Sequence, residues 1–423
     1  MTFHLNLADA VCLGVYRAVT TLIAPLLGLH LKKRVKHGKE HSDRWREKQG
    51  FAGRERPKGS LIWLNAVGLG EVMALRGLIM ALNDHNPKLQ FLVTSSTLIS
   101  ASTFANNLPP NTIHQFLPLD SPAYNRRFLD HWMPDLAIWS EQDIWPGTVH
   151  QTLRRGIPQA LINARMNEKS YRIRAFIRPL YRGTYKKLSL ISAQNHSSAA
   201  SLEALGAPKK VRNDGSLKPN CPPLFFNADA QNKLIKQKLD KIIWLAASCH
   251  PEDENIALAA QQILLAKNKD HLLILAPRNP NRTSEILTKL GAFNVKVRSL
   301  GELPDKKTEI YLADTFSEMG LWYTNSKFAL IGGTFSAVEG HNPWEALQLG
   351  CGVMHGPHFA NFSADFEILK HKEASSEVLS PQDIVEVITS PDTTKKINYE
   401  ELSIEMRRQL KALVDDILTL TML

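Results

Sequence analysis

Residues 330–362, LIGGTFSAVEGHNPWEALQLGCGVMHGPHFANF, decide the fold class. An apolar run stops at Gly332-Gly333, a polar loop follows, and Asn342-Pro343-Trp344-Glu345 opens a second apolar run with helical spacing. That order predicts a strand, a glycine loop and a helix. Asn is a favoured N-cap, and Pro at the next position loses nothing, because its missing N–H has no acceptor within the helix. Gly350 ends the helix, Val353-Met354 reads as a short strand, and Gly356-Pro357 turns the chain again. A helix N-terminus facing a glycine loop gathers free N–H groups and partial positive charge, which is a seat for phosphate. Glu345 suits that dipole and is placed to reach ribose hydroxyls. An ordinary capped β-loop-α unit shows the same pattern.

The same rhythm extends through most of the chain. Apolar, β-rich runs at 61–67, 89–95, 135–140, 159–164 and 188–194 alternate with helical segments such as 71–83. After the Gly-, Pro- and Asn-rich segment 214–223 the rhythm restarts with runs at 242–248, 271–277, 309–314 and 327–333. Alternation of this kind predicts an α/β fold with parallel sheets covered on both faces. Two Rossmann-like, doubly wound domains are expected, residues 36–220 and 221–423, with ligands at the carboxyl ends of strands in a cleft between them. Residues 399–418 read as a closing helix of the second domain.

At 423 residues there is chain enough for two cores. The four cysteines (Cys12, Cys221, Cys249, Cys351) have neither CxxC nor zinc-type spacing, which excludes a disulfide scaffold and predicts reduced thiols. The net charge of +10 is concentrated. Residues 32–58 hold eleven Lys/Arg against four Asp/Glu, and residues 165–187 hold eight against Glu168 alone. Such clusters call for anionic partners: phosphorylated lipid, a membrane surface or nucleic acid. Residues 5–31 are mostly apolar, broken by Asp9 and Arg17 and followed at once by Lys32-Lys33-Arg34. Residues 1–35 are therefore expected to anchor the chain to a membrane, as a span or as a helix lying in the interface.

Several strand ends carry chemistry. Gly68-Leu69-Gly70-Glu71 follows one strand and opens a helix, so Glu71 is placed as a general base, or simply as a favourable first-turn acid. Glu141, in Ser140-Glu141-Gln142-Asp143, ends another strand. Lys218 lies at the domain boundary, where a cation meets a phosphate or a developing anion. In the second half, Pro277-Arg278 and Phe316-Ser317-Glu318 end strands beside the opening stretch, and Arg is the natural fork for phosphate. With Asn342, Pro343, Trp344 and Glu345 they make three strand-end loops suited to one nucleotide. No EF-hand, HExxH, Walker A or Gly-x-Ser-x-Gly pattern is present, so neither a metal nor a serine nucleophile is expected.

These motifs together resemble the bacterial Kdo (3-deoxy-D-manno-octulosonic acid) transferases, glycosyltransferases of the GT-B fold. The resemblance rests on LNAVGLGEV, LPLDSP, SEQDIWP, NAR, GSLK, ASCH, APR, ADTFSE, GHNPWEALQLG and GPHFANF, in that order along nearly the whole chain. It implies transfer of Kdo from CMP-Kdo to a lipid A precursor of the lipid IVA type, in lipopolysaccharide synthesis on the cytoplasmic face of the inner membrane. An inverting, metal-free single displacement is implied, with Glu71 as base and Glu141 and Lys218 stabilising the transition state. CMP would be held by Pro277, Arg278, Phe316, Ser317, Glu318 and residues 342–345. The basic stretches would meet lipid phosphates and the membrane, not nucleic acid. Departures from the family pattern are Leu69 for Val in the first loop, Ser317, Glu339 and Glu252 where Gly is usual, Trp344 for Leu, and Gln142-Asp143 for Thr-Glu. A GT-B transferase of another nucleotide sugar and a non-catalytic, membrane-bound nucleotide- or lipid-binding homologue are the alternatives.

Overall fold

The structure is a computed structural model that describes residues 6–208, 211–237, 239–390 and 399–420. The first residue of the apolar run at 5–31, and residues 391–398 and 421–423 of the expected second domain, lie outside the described residues.

By its internal contacts the chain divides into residues 1–221 with 405–423, and residues 222–404. Each unit is built on one parallel seven-stranded sheet. The first contains β1 (Leu61–Asn65), β2 (Gln90–Ser95), β3 (Thr112–Phe116), β4 (Leu136–Ser140), β5 (Gln159–Ala164), β6 (Leu190–Ala193) and β7 (Arg212–Asn213), in the order β3-β2-β1-β4-β5-β6-β7. The second contains β8 (Ile242–Cys249), β9 (His271–Pro277), β10 (Val295–Val297), β11 (Ile310–Leu312), β12 (Phe328–Ile331), β13 (Gly352–His355) and β14 (Ser375–Glu377), in the order β10-β11-β9-β8-β12-β13-β14. Both orders run outward from a central pair, β1/β4 and β8/β12. There the connections leave in opposite directions and a crevice opens at the carboxyl ends of the strands. These are the two doubly wound α/β halves of a GT-B protein.

Alternation along the strands builds a core on each face of the first sheet. Leu61, Trp63, Leu92, Ala137, Trp139 and Leu161 share one core, while Ile62, Leu64, Phe91, Val93, Leu136 and Ile138 share the other. The closing helix, Tyr399–Thr419, corrects the expected domain assignment. Its Leu413, Val414, Ile417 and Leu418 are buried in the second of those cores. From Glu405 onward the helix therefore belongs to the first unit, not the second.

Helix Leu7–Lys36 is capped by Asn6, whose Oδ1 accepts from the Asp9 N–H at 2.8 Å. It is long and apolar enough to cross a membrane. One face lies along the first unit. Asp9 pairs with Arg182 at 2.7 Å, the Tyr16 hydroxyl donates to Asp120 at 2.7 Å, and the Tyr124 hydroxyl donates to the Ala24 carbonyl at 2.9 Å. Gly28 packs so closely that a Cβ there would stand 2.9 Å from the Gln49 amide. The opposite face leaves Leu7, Val11, Val15, Val19, Leu22, Leu26 and Leu29 exposed, at the three- and four-residue steps of a single stripe.

Candidate active site

At the β1/β4 crevice, β1 ends at Asn65 and helix Leu69–His85 begins after Gly68. Gly68 has no side chain with which to cap the helix. Glu71 does so from the third helical position, its Oε2 accepting from the N–H groups of Val67 (2.9 Å) and Gly68 (3.3 Å). Its Oε1 has no hydrogen-bond partner among the described residues. Burial, then the charges of Glu141 and Asp143, push the carboxyl up to about 7 against the pull of those two N–H groups. Raised into the neutral range, it is matched to accepting a proton there.

Glu141 ends β4 from the opposite side of the crevice. It is buried, its N–H donates to the Ile162 carbonyl at 3.1 Å, and its backbone is left-handed (φ 60°). A non-glycine residue in that region costs roughly 1–2 kcal/mol, and such strain gathers at functional sites. Asn163, at the end of β5, is also left-handed (φ 51°). Its Oδ1 accepts from the Leu217 N–H at 3.1 Å, so it ties β5 to the segment carrying Lys218. Lys218 is buried and begins a single turn, Lys218–Asn220. That turn lies against the helix of Glu71: a Cβ on Gly77 would meet the Asn220 carbonyl oxygen at 2.2 Å. Glu71, in the first turn of the helix after β1, Glu141, directly after β4, and Lys218, in the turn five residues beyond β7, thus all follow strands of one sheet.

The sequence places Asp143 with Glu141 as the second acid of the loop after β4 but gives it no role, and it does not single out Arg174. Burial raises the Asp143 carboxyl above its ordinary value, with the charge of Arg174 opposing it. Arg174, on helix Glu168–Phe176, donates to the Gln142 carbonyl at 2.6 Å, and the Ser170 hydroxyl donates to Gln142 Oε1 at 2.7 Å. That helix therefore props the loop after β4. The only local signal for it was the mixing of basic and apolar residues in 165–187.

In the second unit, Asp253 organises the β8/β12 crevice. It stands in the first turn of helix Pro251–Lys267 and accepts from the N–H groups of His250 (2.8 Å), Gly333 (2.7 Å) and Phe335 (3.1 Å). Burial raises this carboxyl, and the three N–H groups oppose the rise. One side chain so fixes the loops after both central strands. Above it, His250 and His341 bring their Nε2 atoms to 3.2 Å with the rings stacked. Burial, then Arg278 and His250, hold the His341 imidazole down at about 4.

The expected nucleotide residues fall at neighbouring strand ends of this sheet. Pro277 ends β9, and the exposed Arg278 hangs its N–H on the Cys249 carbonyl at 2.9 Å. Phe316 is 64% exposed and Ser317 is left-handed (φ 65°). Glu318 is held by Arg298 at 2.6 and 3.0 Å and by the Thr315 hydroxyl. Burial raises its carboxyl, but those bonds win and its pKa falls below the ordinary value. After β12 the helix is shorter than expected, Trp344–Gln348. Asn342 does not cap a helix beginning at Pro343. Instead its Oδ1 takes the Trp344 N–H at 3.1 Å and its Nδ2 donates to Glu345 at 3.1 Å. Pro343 is buried. The Trp344 indole is fully buried and donates to Asp365 at 2.8 Å, so its side chain faces the core. Ser317 and Glu339, two of the positions where Gly is usual in the resembled family, both keep the left-handed backbone that Gly adopts freely (φ 65° each). Among the described residues no cluster of three or more His, Cys, Asp or Glu is arranged to hold a metal.

Comparison with known proteins shows the family. Residues 43–221 match the family profile described as 3-deoxy-D-manno-octulosonic-acid transferase (kdotransferase). The chain is 33% identical over 394 residues to a probable mitochondrial 3-deoxy-D-manno-octulosonic acid transferase of Arabidopsis thaliana, covering 91% of this chain and 87% of that one. It is 32% identical over 390 residues to the 3-deoxy-D-manno-octulosonic acid transferase of Haemophilus influenzae, covering 89% and 91%. Among solved structures, the UDP-GlcNAc 2-epimerase of Neisseria meningitidis bound to UDP-GlcNAc matches with a TM-score of 0.55 at 15% identity, over 85% of this chain and 100% of that one, a likeness of fold alone. The chain belongs to the 3-deoxy-D-manno-octulosonic acid transferase family.

Proposed function

We propose that the chain transfers Kdo from CMP-Kdo to a phosphorylated lipid A precursor of the lipid IVA type, at the cytoplasmic face of an inner membrane. The observation that carries this reading is Glu71: a carboxyl raised to about 7, fixed at the carboxyl end of a central strand in a chain of this family. Its Oε1 takes the proton of the acceptor hydroxyl as that oxygen attacks the anomeric carbon of Kdo. The bond from that carbon to the CMP phosphate breaks, and CMP departs with the electron pair. A single displacement inverts the anomeric centre. Glu141, beside Glu71, supports positive charge on the sugar ring, and Lys218 supports developing negative charge.

The donor is assigned to the second unit. Arg278 and the loop N–H groups at the β8/β12 crevice supply charge and hydrogen bonds for the phosphate. Phe316, Ser317 and Glu318 face the nucleoside, and Asn342 and Glu345 face the ribose, with Pro343 and Trp344 holding that turn. No metal is required in this scheme, because a guanidinium and oriented N–H groups answer the phosphate charge. The exposed stripe of helix Leu7–Lys36 lies in the membrane interface, with its docked face toward the first unit. The test is incubation of the purified chain with CMP-Kdo and lipid IVA, followed by mass spectrometry. Addition of Kdo is expected from wild type and not from Glu71→Ala. Wild type that leaves lipid IVA unmodified while releasing no CMP refutes the assignment.

A further inference from the structure

Helix Leu7–Lys36 covers an excess of positive charge. Asp9, Leu13 and Arg17 follow at four-residue steps, which turns all three toward the body of the first unit. Helices Pro146–Arg154 and Arg178–Tyr185 pack against that face and against each other. Asp9 is fully buried and already committed: Arg182 donates to its Oδ1 from Nε at 3.0 Å and from Nη2 at 2.7 Å.

Other basic groups in the same region have no such partner. Lys187 is 3% exposed, yet among the described residues its Nζ has no hydrogen-bond acceptor and no ion pair. Arg17 Nε and His150 Nδ1 are buried and likewise unpartnered. The groups sense one another. Burial, then Lys187, Arg17 and Arg154, lower the His150 imidazole to about 4. Burial lowers Lys187 to about 8, with Asp9 and Arg17 pulling in opposite directions.

Lys187 Nζ keeps some contact with solvent, yet an ammonium so largely buried with no counter-ion is held at a cost. An ammonium, a guanidinium and an imidazole, each with an idle donor, are the set that binds phosphate oxygens. Their depth fits too. If the outer stripe of Leu7, Val11, Val15 and Val19 meets acyl chains, the inner face of the same helix lies about one helix diameter, roughly 10 Å, deeper toward water, at the level of headgroups.

We propose that Lys187, Arg17 and His150 form a binding site for a phosphate-type anion beneath helix Leu7–Lys36, supplied by the headgroup of an anionic membrane lipid. The anion site stands apart from the transfer reaction. Only the source of the anion rests on the membrane reading of the helix.

The test uses the full chain in a neutral detergent, titrated with dihexanoyl phosphatidic acid, dihexanoyl phosphatidylcholine or inorganic phosphate, reading Tm and calorimetric Kd. Wild type is expected to bind the phosphatidic acid about tenfold or more tightly than the choline lipid, with a matching rise in Tm. Lys187→Met keeps the apolar stem and removes the buried charge. Without anion it should melt at or above the wild-type temperature, and with anion it should gain nothing, so the order of stabilities reverses. Arg17→Gln should weaken binding while keeping the fold. A rise in Tm with inorganic phosphate equal to that with lipid supports the site and makes free phosphate its source. Equal binding by Lys187→Met, no headgroup preference in wild type, or a large loss of Tm in Lys187→Met before any anion is added overturns the proposal. Failure of the CMP-Kdo assay leaves each of these readouts unchanged.

Discussion

The Nε2 atoms of His250 and His341 lie 3.2 Å apart at the crevice between β8 and β12. Two imidazoles at that distance need one proton between them, and two imidazolium ions would repel. The depressed pKa of His341, about 4 against an ordinary 6.5, says which charge state is disfavoured. A base whose folded pKa lies below its unfolded one binds more protons when unfolded, so stability is lost as pH falls from about 6.5 to about 4. His114 and His150 are depressed toward the same range and add to the wild-type slope. The useful quantity is therefore the difference made by one substitution. His341→Gln is expected to flatten the fall in Tm between pH 6.5 and 4 and to leave Tm nearly unchanged at pH 8. A thermal melt series across that range checks it.

Glu71 has the opposite sign. Its folded pKa of about 7 lies above the ordinary 4.5, so the folded state binds the proton more tightly and stability declines as pH rises from about 4.5 through 7. Activity should move the other way, because a base must be ionised. The expected profile of kcat/KM rises with an apparent pKa near 7. Glu71→Gln keeps an acceptor for the Val67 and Gly68 N–H groups but cannot take a proton. It should lose about 10²- to 10⁴-fold in rate while holding Tm at pH 8 at or above wild type. A variant with equal loss of rate and a collapsed Tm would reveal a structural role instead.

The central strands of both sheets were legible because they are buried on both faces and so read as continuous apolar runs. The strands missed were β3, β7, β10 and β14. The first carries His114 and Gln115 in its five residues, and the others are two or three residues long, at or next to sheet edges where burial no longer dictates composition. Helix amphipathicity shows that a face is buried but not against what, which is why the pattern alone does not reveal that residues 405–419 of the closing helix belong to the first unit. Of the site, the residues on strand ends could be named from their motifs. Asp253 clamping Gly333, and Arg174 bracing Gln142, join residues 80 and 32 positions apart, and no local pattern encodes such pairs.

Space and backbone conformation separate two neighbouring substitutions in the second unit. A Cβ on Gly332 would stand 2.4 Å from the Ser248 carbonyl oxygen and 2.6 Å from that of Ala247, both of them backbone atoms on the adjacent strand. Gly332→Ala must push β8 from β12 and is expected to lose about 1–3 kcal/mol of stability, as overpacking does. Because the His250 loop follows β8 directly, KM for the nucleotide sugar should rise as well. Ser317→Gly relieves a left-handed residue worth roughly 1–2 kcal/mol, offset by the larger entropy that Gly loses on folding, roughly 0.5–1 kcal/mol. Its stability should stay within about 1 kcal/mol of wild type. Denaturant unfolding of the two variants, with KM measured in parallel, distinguishes strain at the crevice from mere loss of a side chain.

The outer stripe of helix Leu7–Lys36 offers a quantitative check of the membrane reading. Leu22 and Leu26 are one turn apart and both well exposed, so neither supports the packing of the helix on the first unit. Burying a leucine side chain in an apolar phase is worth about 1.5–3 kcal/mol. Replacing both with serine should therefore weaken partition into vesicles by at least about 10²-fold, at 1.4 kcal/mol per factor of ten. The Asp9–Arg182 and Tyr16–Asp120 bonds on the inner face are untouched by the change, so the melting profile in detergent should match wild type. Activity on short-chain, monomeric acceptor should persist while activity on acceptor embedded in vesicles falls. Vesicle flotation that is unaffected by the double substitution would mean that some other surface holds the protein to the bilayer.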